Sequence, residues 1–399
     1  MCSAVARRAF KYRFYPTDSQ AAQLSRTFGA VRKVYNLALE VRADSWRHRR
    51  QRITYGETSA LLTLWKQADE LSYLNEVSSV PLQQALRHLH NGFVAFWEKR
   101  AGHPRFKSRK RSRASAEYTR SGFRYRNGQL TIAKMTGPLN IVWSRPLPDG
   151  AEPSTVTVSC DSAGRWFVSL LCEDRNVQHL PPVQGAVGID AGVANLVTLS
   201  TGEKVANPRH ELVDRARLAK AQRAVARKAP GSRNRDKARR KAARVHARIT
   251  DRRRDYLHQL TTRLVRENQT LVLEDITVRN MVKNHVLARA ISDAAWREFR
   301  TMLVYKAAWY GREVVVIDRW FPSTKLCSVC GDLADRMPLD VRAWTCASCG
   351  VLHDRDINAA KNILAAGLAV TVCGDDVRPQ RMRPSGLSST KQKFRAREG

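Results

Sequence analysis

Residues 318–363 read DRWFPSTKLCSVCGDLADRMPLDVRAWTCASCGVLHDRDINAAKNI, and the rest of the chain is organised around them. Two CxxC pairs, Cys327/Cys330 and Cys346/Cys349, are separated by fifteen residues, so each supplies two thiolates at the reach of one tetrahedral zinc. A glycine follows each pair, Gly331 and Gly350, which suits knuckle turns whose backbone must approach the metal. The chain then runs His353-Asp354-Arg355-Asp356 into INAAKNILAAGLA, where Ile357, Ala360, Ile363, Leu364 and Leu368 share one helical face. A carboxylate is therefore delivered at a helix start. Locally, Asp354 and Asp356 are equally natural N-cap residues, and only the remaining sequence separates capping from chemistry.

The totals narrow the function classes. A chain of 399 residues has room for roughly two to four domains. Lys and Arg outnumber Asp and Glu 70 to 36, and the formal charge of +34 exceeds what solubility asks for, which points to a large polyanion as partner. Four of the eight cysteines lie in the CxxC pairs, with Cys2, Cys160, Cys172 and Cys373 scattered. That usage indicates metal binding in a reducing compartment, not a disulfide framework. No apolar run reaches membrane-spanning length and the N-terminus shows no leader, so a prokaryotic cytoplasmic, nucleoid-associated protein is expected.

From the N-terminus, AFKYRFY (9–15) alternates as a short strand and stops at Pro16. Thr17 or Asp18 caps a helical pattern to about Arg50; a second block covers 57–69, and a third opens at Pro81 with Leu82, Ala85, Leu86, Leu89, Phe93 and Phe96. After the basic connector 103–115 the period becomes two. FRYRNGQLTI carries an Asn127-Gly128 hairpin signal, and TVTVSCDSAGRWFVSLLC turns at 161–164. The helices are thus inserted into a β module of 116–178 plus the first strand. Strands at 185–190 and 195–200 follow, then two long helices over 208–267 broken at Pro230-Gly231-Ser232. The second carries Ala238, Ala242, Val245, Ile249, Tyr256, Leu260 and Leu264 as its apolar stripe. Their other faces are almost wholly Arg and Lys, a single-sign surface that suits nucleic acid. Strand 270–275, a helix from Asp293 to about Tyr310 and strand 313–318 complete the core, and the tail from 373 to 399 is expected to be disordered and basic.

Three acids occupy comparable positions: Asp190 and Glu274 close apolar strands, and Asp356 opens the last helix. Carboxylates placed there need a compensating charge. Magnesium, bound by a few carboxylates and substrate phosphate, would reconcile all three, and two such ions could activate a water and stabilise the leaving oxygen of a phosphodiester. The element order with acids at these ends describes an RNase H-like fold.

GIDAGVANLVTLS, LVLEDI and HDRDINAAKNIL resemble the three motifs of a RuvC-type nuclease interrupted by a zinc module, and nearly the whole chain resembles the TnpB family. YRFYPTDSQAAQLSRTFGAVRKVYNLAL, MVKNHVLARAISDAAWREFRTMLVYKAAWYG and WFPSTKLCSVCG also fit family patterns; Asn280 stands where relatives often carry glycine. The resemblance implies a transposon-encoded, RNA-guided DNA endonuclease in which base pairing reads the target and protein reads a short adjacent motif. It implies Asp190, Glu274 and Asp356 as catalytic magnesium ligands, Asp356 rather than Asp354 being the family acid. Asp354 is left to cap or to orient Arg355. It also implies Cys327, Cys330, Cys346 and Cys349 as ligands of a structural zinc; His353 is a fifth candidate, weighed against packing or touching nucleic acid.

The implied architecture is multidomain α+β. A small β-barrel wedge domain (1–15 and 116–180) would carry an inserted helical recognition domain (16–115). An RNase H-like (RuvC) nuclease domain (181–321 and 354–372) would carry a zinc ribbon (322–353) contacting target nucleic acid. Partners would be a noncoding guide RNA and double-stranded target DNA with its displaced strand, with one protein per RNA. Gln83 and Gln84 are candidates for reading an adenine edge, while Phe123, Tyr125 and Trp143 can either stack on bases or fill the hairpin core. The competing readings are a guided DNA-binding repressor without nuclease activity, a compact CRISPR effector of the same nuclease class, a strand-transferring transposase, and a zinc-ribbon RNA-binding protein.

Overall fold

The computed structural model describes residues 6–338 and 340–373; the expected tail from residue 374 onward, and Cys2, lie outside them. Within the described residues two compact units separate, 6–179 with 211–252, and 180–210 with 253–373.

In the first unit, β1 (Ala6–Phe14) leads into α1 (Asp18–Arg49). Thr17 accepts from the Gln20 N–H while the Gln20 side chain accepts from the Thr17 N–H, so the helix start is satisfied reciprocally. The helix α2 (Tyr55–Gln67) repeats that device with Thr54 and Glu57, and α3 (Ser79–Trp97) is capped by Ser78, two residues before the expected Pro81 start. Val34, Leu39, Leu62, Leu74, Leu82, Leu86 and Leu89 are buried among these helices, while Leu24 of α1 packs into the core of the β module. The chain returns through β2 (Ala114–Thr119), β3 (Phe123–Arg126), β4 (Gln129–Ile132), β5 (Ile141–Val142), β6 (Thr155–Cys160) and β7 (Trp166–Asp174).

The sheet order is β2-β6-β7-β1-β5, so the first strand does complete the β module, pairing antiparallel with β7 from Ala6↔Asp174 to Phe14↔Trp166. Asn127 and Gly128 both have positive φ (51° and 74°), the conformation a tight two-residue hairpin demands, but β3 and β4 form their own two-stranded sheet. Phe123, Tyr125 and Trp143 pack on the core of the module, with Trp143 centred 4.8 Å from Tyr12. Gln84 is also closed off, leaving Gln83 as the exposed member of that pair.

The basic helices are α4 (His210–Ala226) and α5 (Arg233–Glu267), broken where the Pro-Gly-Ser signal stands. Residues 211–252 of this pair cluster with the first unit, although the chain on either side of them belongs to the second. Nineteen Lys and Arg face six Asp and Glu across 210–267. Asp214 alone receives Arg217, Arg248 and Arg252 at 3.5–3.9 Å, so pairing absorbs only part of this charge.

The second unit is built on a sheet ordered β10-β9-β8-β11-β12. Its strands are β8 (Ala186–Ala191), β9 (Asn195–Leu199), β10 (Lys204–Ala206), β11 (Thr270–Glu274) and β12 (Glu313–Ile317). The three strands β8, β11 and β12 run parallel, and their apolar runs are covered on both faces. Val187, Ile189, Leu271 and Leu273 join Leu257, Leu260, Leu264, Trp296, Phe299 and Leu303 on one face; Val272 and Ile317 meet Ile363 and Leu364 on the other.

Between β11 and β12 lie α6 (Val278–Met281), α7 (Ala288–Ala294) and α8 (Trp296–Tyr310). The expected single helix from 293 is thus two, broken at Ala295 (φ 53°). The break sets Ala294 and Trp296 into the core, 1% and 4% exposed, which offsets the roughly 1 kcal/mol of a left-handed alanine.

Candidate carboxylate centre and zinc module

The last helix, α9 (Arg355–Cys373), positions both sites. It lies hard against the sheet because two contacts have no side chain: a Cβ on Gly188 would overlap the Ala360 carbonyl and come within 2.7 Å of Leu364 N, and one on Gly367 would overlap Val272. Gly188 and Asp190 are two residues apart on one strand and so face the same side, toward α9. Asp356 is one helical turn before Ala360, and four helical residues advance about 6 Å, close to two strand residues. The stride along α9 therefore carries Asp356 to the end of β8 that bears Asp190.

Glu274 belongs to the same edge. Leu273 pairs with Ile189 across β11 and β8, so the next residue of each strand is an acid, and Glu274 itself pairs with Ile317. The three predicted acids thus meet electrostatically. Burial first, then repulsion from Asp356 and Glu274, raises the Asp190 carboxyl to about 7, with Arg355 acting the other way. Burial and the neighbouring Asp275 raise Glu274 to about 7. Asp356 has Arg342 at 3.7 Å. Among the described residues the three carboxylates are not drawn into a closed ligand cluster.

Asp354 takes the other role the sequence allowed. It accepts from the Ile357 N–H at 3.1 Å and pairs with Lys204 at 2.6 Å. Burial, the largest influence, pushes its carboxyl up, but Lys204 and the helix N–H groups together hold it below the ordinary range. Arg355 is fixed by the Pro338 and Val341 carbonyls. On the other flank Asp275 is held below its usual range by Arg300, at 2.6 Å, and by Arg319. A cavity of about 320 Å³ opens beside Glu274, with Arg279, Arg297, Arg300 and Arg319 in its wall. Arg300 and Arg319 are engaged by Asp275, and with Arg279 and Arg297 they make this wall basic beside the raised carboxyl of Glu274, which suits an anionic ligand.

The zinc module differs in kind. The four cysteine sulfurs all lie within 4.8 Å of one another, with Cys327–Cys349 at 3.7 Å and Cys330–Cys346 at 3.6 Å. A tetrahedron with zinc–sulfur bonds of about 2.3 Å has edges of about 3.8 Å, so the donors fit one zinc and leave no open position. Both knuckles close the same way. Gly331 N–H donates to Cys327 O and Gly350 N–H to Cys346 O, and both glycines have positive φ (77° and 71°). Strands β13 (Ala343–Thr345) and β14 (Leu352–Asp354) pair across the second knuckle. His353 is buried with Nε2 3.0 Å from Cys327 Sγ and its ring against Trp344, a packing role with a hydrogen bond to the sulfur.

Sequence reading missed how α9 is tied to the first knuckle. Asn358 accepts from Ser328 N–H and donates to Leu326 O, and Asn362 donates to Ser323 O and Leu326 O, at 2.6–2.9 Å. The available signal was two asparagines four residues apart, one helical turn, in an otherwise apolar helix.

Fold and site together define a mixed α/β protein with a mixed sheet whose parallel strands bear the carboxylates and a four-cysteine module like a zinc ribbon. A solved Cas12f1–sgRNA–target DNA complex shares the fold, with a TM-score of 0.55 at 12% identity over 90% of this chain and 98% of that one. Residues 169–285 match the family OrfB_IS605, described as a probable transposase, 296–363 match the Cas12f1-like TNB domain, and 1–51 match the HTH_OrfB_IS605 helix-turn-helix domain. A Streptomyces pristinaespiralis protein named as an RNA-guided DNA endonuclease is 68% identical over 97% of this chain and 96% of its own length. Escherichia coli K12 InsQ, named likewise, is 34% identical over 95% and 98%. The chain belongs to the TnpB family.

Proposed function

We propose that this protein is an RNA-guided DNA endonuclease, with Asp190, Glu274 and Asp356 as the hydrolytic centre of an RNase H-like, RuvC-type domain. The observation that carries the reading is the convergence of these acids on the α9 face, where two of them are raised to about 7. Carboxylates that repel in this way favour a hard divalent cation, and magnesium fits their all-oxygen donor set. When bound, two such ions would supply a nucleophilic water and charge stabilisation for an in-line displacement at phosphorus. The chain's own part is to hold the acids: β8 and β11 fix Asp190 and Glu274 side by side, Asp354 caps the helix, and Asp356 is left free of capping. Arg279, Arg297, Arg300 and Arg319 stand where a strand's phosphates can be gripped.

The β module, with 1–15 and 116–180 as a barrel-like wedge, and the helices of 16–115 are the proposed grip on guide RNA and on the motif duplex. The charge of +34 supports both partners, as does the guide-RNA and target-DNA complex named for the structural relative. The test is to express the protein with its flanking genomic DNA, sequence the co-purifying RNA, and challenge the complex with matched plasmid in magnesium. Guide-dependent cutting is expected. A discrete RNA with guided binding but no cutting would replace this reading with the guided repressor.

A further inference from the structure

One cavity has no part in that reading. It lies between the end of α1, the loop after it and the end of α3, measures about 680 Å³, and falls within the size range of small-ligand sites. Trp46, Phe96 and Trp97 line it while 47%, 38% and 46% exposed, large rings that a helical domain would ordinarily cover. Arg50 lies over Trp46 and Arg52 over Trp97, at 5.8 and 5.1 Å from the ring centres. Its lining includes Arg42, Arg47, Arg50 and Arg52 and no acid.

Arg42 is the second observation. It is 6% exposed, and its Nε and both terminal nitrogens are buried without a hydrogen-bond partner. Burial lowers its pKa, with Glu57 acting weakly the other way, and Phe93 provides a ring 5.3 Å from the guanidinium carbon. The Phe93 ring and the charge of Glu57 offset part of that burial, and the guanidinium still has donors that an incoming acceptor could use. Aromatic walls, a donor-only group at the base and arginines at the mouth are the complement of a nucleotide: a flat ring with acceptors on its edge and a phosphate behind it.

We propose that this cavity holds one unstacked nucleotide of a single-stranded RNA. The base lies against Trp46 and Trp97, Arg42 donates to its edge, and Arg47, Arg50 and Arg52 meet the phosphate. Because arginine only donates, a guanine edge carrying O6 and N7 acceptors is preferred to one that mixes donors and acceptors. The inference rests on the nucleic-acid-binding part of the proposed function and not on cleavage, so a failed nuclease assignment leaves it standing.

The test uses the full-length protein freed of RNA, without added magnesium, at salt high enough to screen the basic helices. The probe is a ten-nucleotide adenosine RNA with one central guanosine. Ultraviolet cross-linking should map to Trp46 or Trp97, and Trp46→Ala and Trp97→Ala should each weaken binding about tenfold. Arg42→Met should leave the melting temperature of the RNA-free protein unchanged or higher, as expected on removing an unpaired buried charge, while binding falls about tenfold and the guanosine preference disappears. Unchanged affinity in all three variants overturns the site. A large drop in melting temperature for Arg42→Met with the guanosine preference intact makes Arg42 structural and overturns its role. Equal binding and the same cross-links with the deoxy probe overturn the assignment to RNA.

Discussion

The zinc module and the carboxylate centre share one helix and solve opposite problems. Four thiols converge within 4.8 Å of one another on tight knuckles, a donor set matched to one zinc. The three acids sit on separate elements, do not close up, and two of them are raised to about 7 because they are buried and surrounded by negative charge. The difference teaches that a donor set closed on itself suits a structural ion, while acids spread over three elements suit the working ion proposed for them. A structural ion is enclosed, whereas a working ion needs open coordination for substrate and water.

The sharpest way to break this contrast is Asp190→Ala. Cleavage of matched DNA should fall about 10³-fold or more, the scale of several kcal/mol of lost charge stabilisation, while guided DNA binding stays within about twofold. Binding that fell alongside cleavage would mean the acid is structural. Cys346→Ser should show the reverse priority: bound zinc is lost and the second unit is destabilised by about 3 kcal/mol or more. A melting curve that matches wild type would show that the module does not depend on its metal.

Gly188→Ala probes the seam between the two sites. Its Cβ would strike helix backbone, so a loss of about 2–3 kcal/mol is expected, with cleavage reduced through displacement of Asp356. Gly367→Ala meets only the Val272 side chain and should cost less; the opposite ranking by thermal melts would refute the close-approach account.

The last test is the dependence on pH. The folded Asp190 and Glu274 keep protons up to about 7 that the unfolded chain has released by about pH 4. Their stabilising contribution is therefore complete below that lower value and is lost as pH rises through 7. Without added magnesium, wild type should lose more melting temperature than Asp190→Asn between pH 5 and 8, and magnesium should narrow the gap. Parallel pH curves for the two proteins would contradict this.

What could be read ahead of the structure was whatever depends on spacing within one element. The CxxC pairs, the Asn127-Gly128 turn, the Pro230-Gly231 helix break and the strand-ending acids are local patterns, and each appears where expected. Choosing Asp356 over Asp354 needed the family resemblance, since both suit a helix start. The geometry then gives Asp354 a cap and a lysine. What escaped was fixed by partners distant in sequence: the break at Ala295 that seats Trp296, the ties from Asn358 and Asn362 to the first knuckle, and the unpaired guanidinium of Arg42. Of these only the asparagine pair leaves a local trace, its one-turn spacing, and that spacing does not say what the amides bind.

The asparagine ties set a limit on how small such a chain can be made. Trimming the loop between the knuckles, residues 331–345, keeps the Asn358 and Asn362 ties but loses the Pro338 and Val341 carbonyls that hold Arg355 and the Arg342 beside Asp356. Removing the whole ribbon strips Leu326 and Ser323 from Asn358 and Asn362 and leaves buried amides facing nothing. An engineer seeking a shorter protein would therefore have to redesign those two helix positions as apolar residues at the same time.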